Sequence, residues 1–511
     1  MPTTESVTPN MPDKLIDRFK FIFSITLAVV CAGCSFKPEY ISPELPVPDV
    51  YPNGHGQVRT LSNTPSSDTS PGRWQDYFLD SSLQILIKQA LNNNRDLRTM
   101  TLRVKEAQAA YGIQRSDLMP SVSGSAATAR LGLPAEITPI AGGRPISQYI
   151  AGFNTSWELD FWGRVQNLND AALNEYLATD AARIAAQNSL IAQVADTYLN
   201  LLDLNERITI AQNAIISRQK SFDMLKRRYE VGSGNKLDVV QAETLLTQAQ
   251  SLATQLQQTQ TTQINLLAFL VGDAKSIDTI NTTLQNARLK DDLLIATLPF
   301  GQPSDLLLRR PDIIASEYRL KGANANIGAA RAAFFPRITL NAAYGGISTE
   351  LNGLFDANNR AWMFAPNISI PIFMGGRLAS NLELTEVRQE IAVANYEKTI
   401  QIAFKEVADN LAATQTLTRQ IQIQQRAVDA QIERVRLARM RYDNGSSSYF
   451  EVLDAERDLL NVQQQLVQIR RAQLATRVNL FNALGGAIDT GIEAHAEPQS
   501  VLTIQTVRSN R

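Results

Sequence analysis

The chain has 511 residues, 44 % of them hydrophobic, which supplies a substantial core and excludes a disordered polymer. Its 49 basic and 50 acidic residues nearly cancel, so no global field draws it to nucleic acid or to an anionic surface. The only cysteines are Cys31 and Cys34, and His55 and His495 stand alone near opposite ends, which argues against a disulfide framework, a metal centre and histidine-based catalysis.

Lys14, Arg18 and Lys20 precede the apolar run Phe21 to Val30, which meets the small residues Ala32 and Gly33. That order predicts a secretory signal over residues 1–33. The run is too short for a permanent span, and no later stretch of about 20 apolar residues replaces it. Cys31-Ala32-Gly33-Cys34 resembles a bacterial lipobox, which implies cleavage before Cys34 and acylation of its thiol and new amino group. Cys31 stands where that pattern usually has leucine, and an ordinary cleaved signal is the plainer alternative. Ser35 is not the aspartate associated with inner-membrane retention, so the outer membrane is the expected destination. Met11 is a second candidate start, because residues 1–10 add nothing that a signal needs.

Residues 34–72 carry Pro38, Pro43, Pro46, Pro48 and Pro52 and predict an extended tether. Beyond it the chain repeats itself. Arg228-Tyr229-Glu230-Val231-Gly232 matches Arg441-Tyr442-Asp443-Asn444-Gly445, an offset of 213 that also carries Ala242-Glu243 onto Ala455-Glu456. Asp96, Ala107 and Pro120 fall on Asp312, Ala323 and Pro336 at an offset of 216. The expected organisation is a first repeat over 73–275, a linker over 276–303, a second repeat over 304–486 and a tail over 487–511. Each repeat reads as a helix, a strand pair, a long helix, a glycine-containing turn and another long helix.

The strand pairs are expected near 121–159 and 337–373. In the first, Phe153, Thr155, Trp157 and Leu159 alternate with Gly152, Asn154, Ser156 and Glu158; in the second, Ile338, Leu340, Ala342 and Tyr344 alternate with Arg337, Thr339 and Asn341, and Ile368, Ile370 and Ile372 continue the pattern. Strands of about ten residues with one apolar face suit a membrane barrel. Two hairpins are too few to close one, since the smallest barrels have about eight strands, and an open edge in lipid leaves backbone groups unpaired. More than one chain must contribute.

No proline or glycine interrupts Val165 to Val231 or Leu378 to Asn444, so each predicts a helix of roughly 100 Å at about 1.5 Å per residue. Leu453, Leu460, Val467, Leu474 and Phe481 recur every seven residues, with Val452, Leu459, Leu466 and Leu480 as a second series beside them. Two adjacent heptad seams predict helical neighbours on two sides, as in a closed ring of helices. One seam of an isolated antiparallel hairpin is the plainer alternative.

Three motifs carry a family resemblance. The stretch from Leu307-Leu308-Arg309-Arg310-Pro311-Asp312-Ile313 to Phe334-Phe335-Pro336 closely resembles the hallmark of TolC-like outer membrane factors, particularly the lipoprotein branch serving resistance-nodulation-division pumps. Ser156 to Arg164 is similar to a second hallmark, and the Arg-Tyr-x-x-Gly turns to a third. The resemblance covers Cys34 to about Gly486. It implies a mainly α protein with membrane β: a homotrimeric outer-membrane β-barrel, about four strands per protomer, continuous with a long periplasmic α-helical barrel. It also implies a periplasmic adaptor and an inner-membrane transporter as partners, and no cofactor beyond the lipid on Cys34.

By the same resemblance, Glu451 and Asp454 occupy the family's acidic pore constriction, with glutamate at the first position where aspartate is more familiar. Three residues apart on a helix, they share a face. Repeated threefold, Asp454 would form a ring that attracts cations, with Arg457 near enough to offset the repulsion. A solvated helix face is the plainer reading of these residues. Tyr442 is expected to bond to Asp238 of the first turn, latching the helix pairs. The function implied is export of small molecules through a gated tunnel. Alternatives are the exit duct of a type I-like protein secretion system and a non-transporting coiled-coil scaffold. Neither a phosphate loop nor a Gly-x-Ser-x-Gly nucleophile motif is found, so no enzyme is expected.

Overall fold

The computed structural model describes residues 36–48, 51, 73–132, 145–273, parts of 277–284, 288–295 and 310–486. Cys34, the signal, residues 307–309 and the tail from 487 lie outside the described residues. The chain divides into two compact units, each drawing on both halves of the sequence: one takes residues 1–44, 103–180 and 315–397, the other 45–102, 181–314 and 398–511.

In chain order the elements are α1 (Trp74–Tyr77), α2 (Ser81–Asn93), α3 (Arg95–Ser116), β1 (Ser121–Leu131), β2 (Ile146–Leu159), α4 (Arg164–Glu230) and α5 (Lys236–Val271). There follow α6 (Pro311–Ala332), β3 (Arg337–Ser348), β4 (Arg360–Ser369), α7 (Arg377–Asp443) and α8 (Tyr449–Ala483). The breaker-free stretches are indeed two unbroken helices of 67 residues each, α4 and α7. Among the described residues no helix is long and apolar enough to cross a membrane.

The first unit is built on one antiparallel sheet in the order β1-β2-β3-β4. Ser121 pairs with Ser156, Leu159 with Ile338, and Arg337 with Ser369, so β2 and β3 adjoin although α4, α5 and α6 separate them in sequence. Register assigns the faces. Phe153, Tyr344 and Trp362 form one cross-strand row and are 65 %, 57 % and 77 % exposed, with Val122, Ile338, Phe364 and Ile368 on the same face. The opposite face is polar and internally bonded: Asn154 donates to the Ser125 hydroxyl at 2.7 Å and Ser156 to Asn341 Oδ1 at 2.9 Å. A sheet with exposed aromatics outward and bonded amides and hydroxyls behind suits lipid on one side and water on the other. Both outer edges, β1 and β4, have no strand partner among the described residues.

The alternation expected up to Ile372 stops earlier. β4 ends at Ser369, and Ile370 and Ile372 lie beyond it in irregular chain. Pro371 supplies no N–H to a ladder.

The proline-rich tether is described over residues 36–48 and 51 and is not helical. In the first unit it lies along α4 and α6: Phe36 stacks on Phe335 at 4.4 Å, Lys37 pairs with Asp170 at 3.3 Å, and Asn324 donates to the Pro38 carbonyl at 2.9 Å.

The second unit has a buried core in which Phe78, Leu83 and Ile87 meet Ile191, Tyr198 and Leu202 of α4, Leu267 and Val271 of α5, and Leu474, Val478 and Phe481 of α8. Tyr77 stacks on Phe481 at 4.7 Å and donates to the Arg477 carbonyl at 2.7 Å. Asp80 caps α2 by accepting from Leu83 N–H at 2.8 Å. Leu453, Leu460, Val467, Leu474 and Phe481 are all buried, as are Val452, Leu466 and Leu480. The two seams have different neighbours: Val452 packs with Val435 and Ala438 of α7, and Leu453 with Leu225 of α4 and Ala242 of α5, while Gln464 exchanges hydrogen bonds with Arg207 of α4 at 2.7 and 3.0 Å. α8 thus has a helix on each side, which the isolated-hairpin alternative does not provide.

Gly152 and Gly345 face each other in the register of β2 and β3. A Cβ on Gly152 would lie 2.5 Å from the Tyr344 carbonyl oxygen, and one on Gly345 would overlap the Ala151 carbonyl. Backbone cannot yield as a side chain does. Gly345→Val is therefore expected to destabilise the sheet by about 1–3 kcal/mol, read as a lower yield of folded, heat-resistant protein on unboiled gels.

Candidate functional site

The two glycine-containing turns are built alike. After α4, Gly232 takes φ +80° and Ser233 N–H returns to the Arg228 carbonyl at 2.8 Å; after α7, Gly445 takes φ +69° and Ser446 N–H returns to the Arg441 carbonyl at 2.8 Å. Both are Schellman-type ends, in which a left-handed glycine lets the chain reverse while the last helical carbonyls are satisfied.

Glu451, Asp454 and Arg457 stand on the first turns of α8, and the structure gives every acid here an arginine partner. Asp454 binds Arg434 at 2.5 Å and Arg457 at 2.6 Å. Asp458 binds the same two guanidinium groups, at 2.7 and 2.9 Å. Glu451 binds Arg441 at 2.9 Å. Two carboxylates and two guanidinium groups thus close a cycle that clips α7 to α8 and cancels its own charge. Arg457 stands beside Asp454, where it was expected to offset its charge, and Arg434 joins it there. Arg434 and Asp458, like Arg441 and Glu451, are equidistant from Ser446, so an antiparallel hairpin folded about that serine brings them together. That symmetry was the available signal for Arg434 and Asp458, which the sequence reading did not single out.

The expected latch has a different partner within the protomer. Tyr442 Oη accepts a hydrogen bond from Arg228 Nη1, and the Arg228 guanidinium lies 5.7 Å from the Tyr442 ring centre. Asp238 sits in the first turn of α5, where its charge complements the helix N-terminus, and no hydrogen bond or ion pair joins it to Tyr442 among the described residues. The long arginine on the last turn of α4 makes the connection instead. Tyr442 also packs edge-on against Tyr449, whose hydroxyl meets that of Ser221 at 2.5 Å. Deeper in the hairpins, buried Glu456 accepts from Arg439 at 2.5 Å and from Ser217 at 3.3 Å. The buried Arg218 donates to the Leu245 carbonyl at 2.6 Å, and burial lowers its pKa.

The Arg-Arg-Pro-Asp motif has a structural explanation where it is described. Arg310, 8 % exposed, forms a fork with Asp312 at 3.0 and 2.6 Å, reaches Glu406 at 2.7 Å and donates to the Ala483 carbonyl at 2.9 Å. It thereby fastens the start of α6 to α7 and covers the carbonyl end of α8. Burial alone would lower its pKa, but the bonds to Asp312 and Glu406 outweigh it and hold the guanidinium above its usual value. Among the described residues no group of three or more metal-ligating side chains occurs.

Arg310→Ala frees the part-exposed carboxylates of Asp312 and Glu406 and leaves the Ala483 carbonyl without its donor, and is expected to cost about 1–3 kcal/mol, measured as a fall in thermal unfolding temperature. The acidic cycle makes a separate prediction. Burial would raise the pKa of Asp458, yet hydrogen bonds from Arg457 and Arg434 outweigh it and hold the carboxyl below its ordinary value. A depressed folded-state pKa means that its contribution is complete above an unfolded value of about 3.9 and is lost as pH falls through the lower folded value. Thermal stability of the hairpin is therefore expected to keep this contribution from neutral pH down to about 4 and to lose it only below, read as the unfolding temperature across a pH series.

Comparison with known proteins matches these features as a set. The profile of the outer membrane efflux protein family matches residues 86–273 and 302–486, one match for each repeat. The toluene efflux pump outer membrane protein TtgF of Pseudomonas putida is 42 % identical over 470 residues, covering 91 % of this chain and 96 % of its own. Outer membrane protein OprJ of Pseudomonas aeruginosa is 36 % identical over 471 residues, covering 92 % and 96 %. Among solved structures, the open-state MtrE outer membrane channel of Neisseria gonorrhoeae is similar at a TM-score of 0.77 and 33 % identity, over 89 % of this chain and 98 % of its own. With both repeats, both long helices and the four-stranded sheet accounted for, the chain belongs to the outer membrane efflux protein family.

Proposed function

We propose that three copies of this chain form the outer-membrane channel of a tripartite efflux system, passing small molecules through a common tunnel. The observation that carries this reading is the sheet: an exposed aromatic face, a bonded polar face and two edges without a partner strand among the described residues. In hydrocarbon each unpaired backbone group costs several kcal/mol, so a membrane-embedded sheet must close with strands from other copies. The solvent and antibiotic efflux named for its relatives supports small organic compounds as cargo. The energy for transport comes from an inner-membrane transporter joined through a periplasmic adaptor, and the channel performs no catalysis.

Acylated Cys34 anchors the tether in this reading. Phe36, two residues later, stacks on Phe335 and lies 6.4 Å from Trp162, at the junctions of the helices with β3 and β2.

The second turn serves as the gate. Its charge cycle is exposed, and exposed ion pairs contribute only about 0.2–1 kcal/mol each, a strength that an adaptor can overcome. Tyr442 and Arg228 tie the second hairpin to α4, so opening the turn requires that link to part. Tyr442→Phe and Asp454→Asn are each expected to raise resting conductance by loosening these ties, and Arg434→Ala is expected to act as Asp454→Asn does. The purified protein in planar bilayers, with its mass measured in detergent, tests the whole reading. A conducting trimer is expected; a monomer without conductance would remove it.

A further inference from the structure

The four helix segments next to the sheet in the first unit enclose a groove of about 700 Å³, lined by Arg164, Glu175, Arg319, Asn326, Asn381 and Arg388 among others. Arg164 is held by Glu158 at 2.8 Å. Arg319 and Arg388 are exposed and have no acidic partner or side-chain hydrogen bond among the described residues. The one further acid in the groove is Glu175, so its unpaired charges sum to a positive value.

Charge is sorted between the two faces of these helices. On α6, Glu317, Lys321, Asn324 and Gly328 line up at helical spacing under the tether: Glu317 accepts from Tyr40 at 3.4 Å and pairs with Lys321 at 2.8 Å, and Lys37 passes over Gly328. Arg319 and Asn326 fall on the opposite face, the one that lines the groove. On α7, Glu383, Glu386 and Glu390 lie about half a turn away from Arg388, and Glu386 pairs with Arg331 at 3.4 Å. On α6 the acid and its partner share the tether side. The unpaired arginines face the other way.

We propose that this groove is part of the tunnel wall and that Arg319 and Arg388 form an anion-attracting girdle in it. Its ligands are organic anions bearing carboxylate, sulfonate or phosphate groups, held weakly in passage. The inference rests on the channel reading above, because an anchored tether must run outside a tunnel, which leaves the opposite helix face to line it. Threefold repetition sets unpaired guanidinium groups around one water-filled bore, where low-dielectric walls strengthen their field. The gate cannot supply this preference, since its acids and arginines cancel within each protomer. The girdle therefore sets charge selectivity while the turns set the aperture.

Reversal potentials in a potassium chloride gradient test the proposal on the intact trimer. Relative to the Arg319→Gln/Arg388→Gln double variant, the unmodified channel is expected to show a chloride-to-potassium permeability ratio at least about twofold higher at 0.1 M salt, shrinking toward 1 M as screening shortens the field. Arg319→Lys/Arg388→Lys keeps the charge and is expected to behave as the unmodified channel, whereas Glu175→Gln raises the ratio. Potassium benzoate in place of chloride is expected to reduce current in the unmodified channel more than in the double glutamine variant. Identical reversal potentials in conducting trimers of both proteins would overturn the girdle alone. Failure of the unmodified protein to form a conducting trimer would overturn the channel reading and the girdle with it.

Discussion

Backbone hydrogen bonding at the two outer edges of the sheet constrains everything else. β1 and β4 each present an edge without a partner strand among the described residues, beside a face crowded with exposed Phe153, Tyr344 and Trp362. Water could solvate the edges, but it would not favour that face; lipid would favour the face, but it would not tolerate the edges. Closure with further copies satisfies both requirements. The duplication serves the same end, because each repeat supplies one hairpin and β2 pairs with β3 across the repeats.

The ionic contacts differ in strength according to where they sit. Arg310 is buried, satisfied by two carboxylates and a helix-terminal carbonyl, and loss of any partner would strand charge out of water. The contacts among Arg434, Asp454, Arg457 and Asp458 are exposed and individually weak. A permanent joint needs the first kind of contact and a movable one the second. Arg319 and Arg388 belong to neither class, being charges left unpaired on a helix face whose opposite side carries neutralised pairs.

Local periodicity and the repeat were enough to read the long helices, the glycine turns, both heptad seams and the alternating strands. These features follow from steric rules that act over a few residues, and the seams at Leu453 and Val452 are buried as that pattern requires. The end of β4 was harder to read because Ile370 and Ile372 keep the alternation while Pro371 breaks the ladder. Partners were the least legible. Asp238 was the expected partner of Tyr442 and Arg228 is the one found, since side-chain reach across two turns is fixed by helix rotation and not by composition. Arg434 lay outside the motif altogether, visible only through the mirror relation of a hairpin about Ser446.

The closure of β1 on β4 between copies can be measured directly, because the chain has no cysteine after Cys34. Cysteine pairs introduced one register at a time, one residue within Ser121–Leu131 and one within Arg360–Ser369, would be oxidised in outer membranes and resolved on denaturing gels. The account predicts at least one register in which the product is a covalently closed trimer, with dimers as its intermediates. Absence of intermolecular links at every register, in protein shown to be folded and inserted, would contradict it.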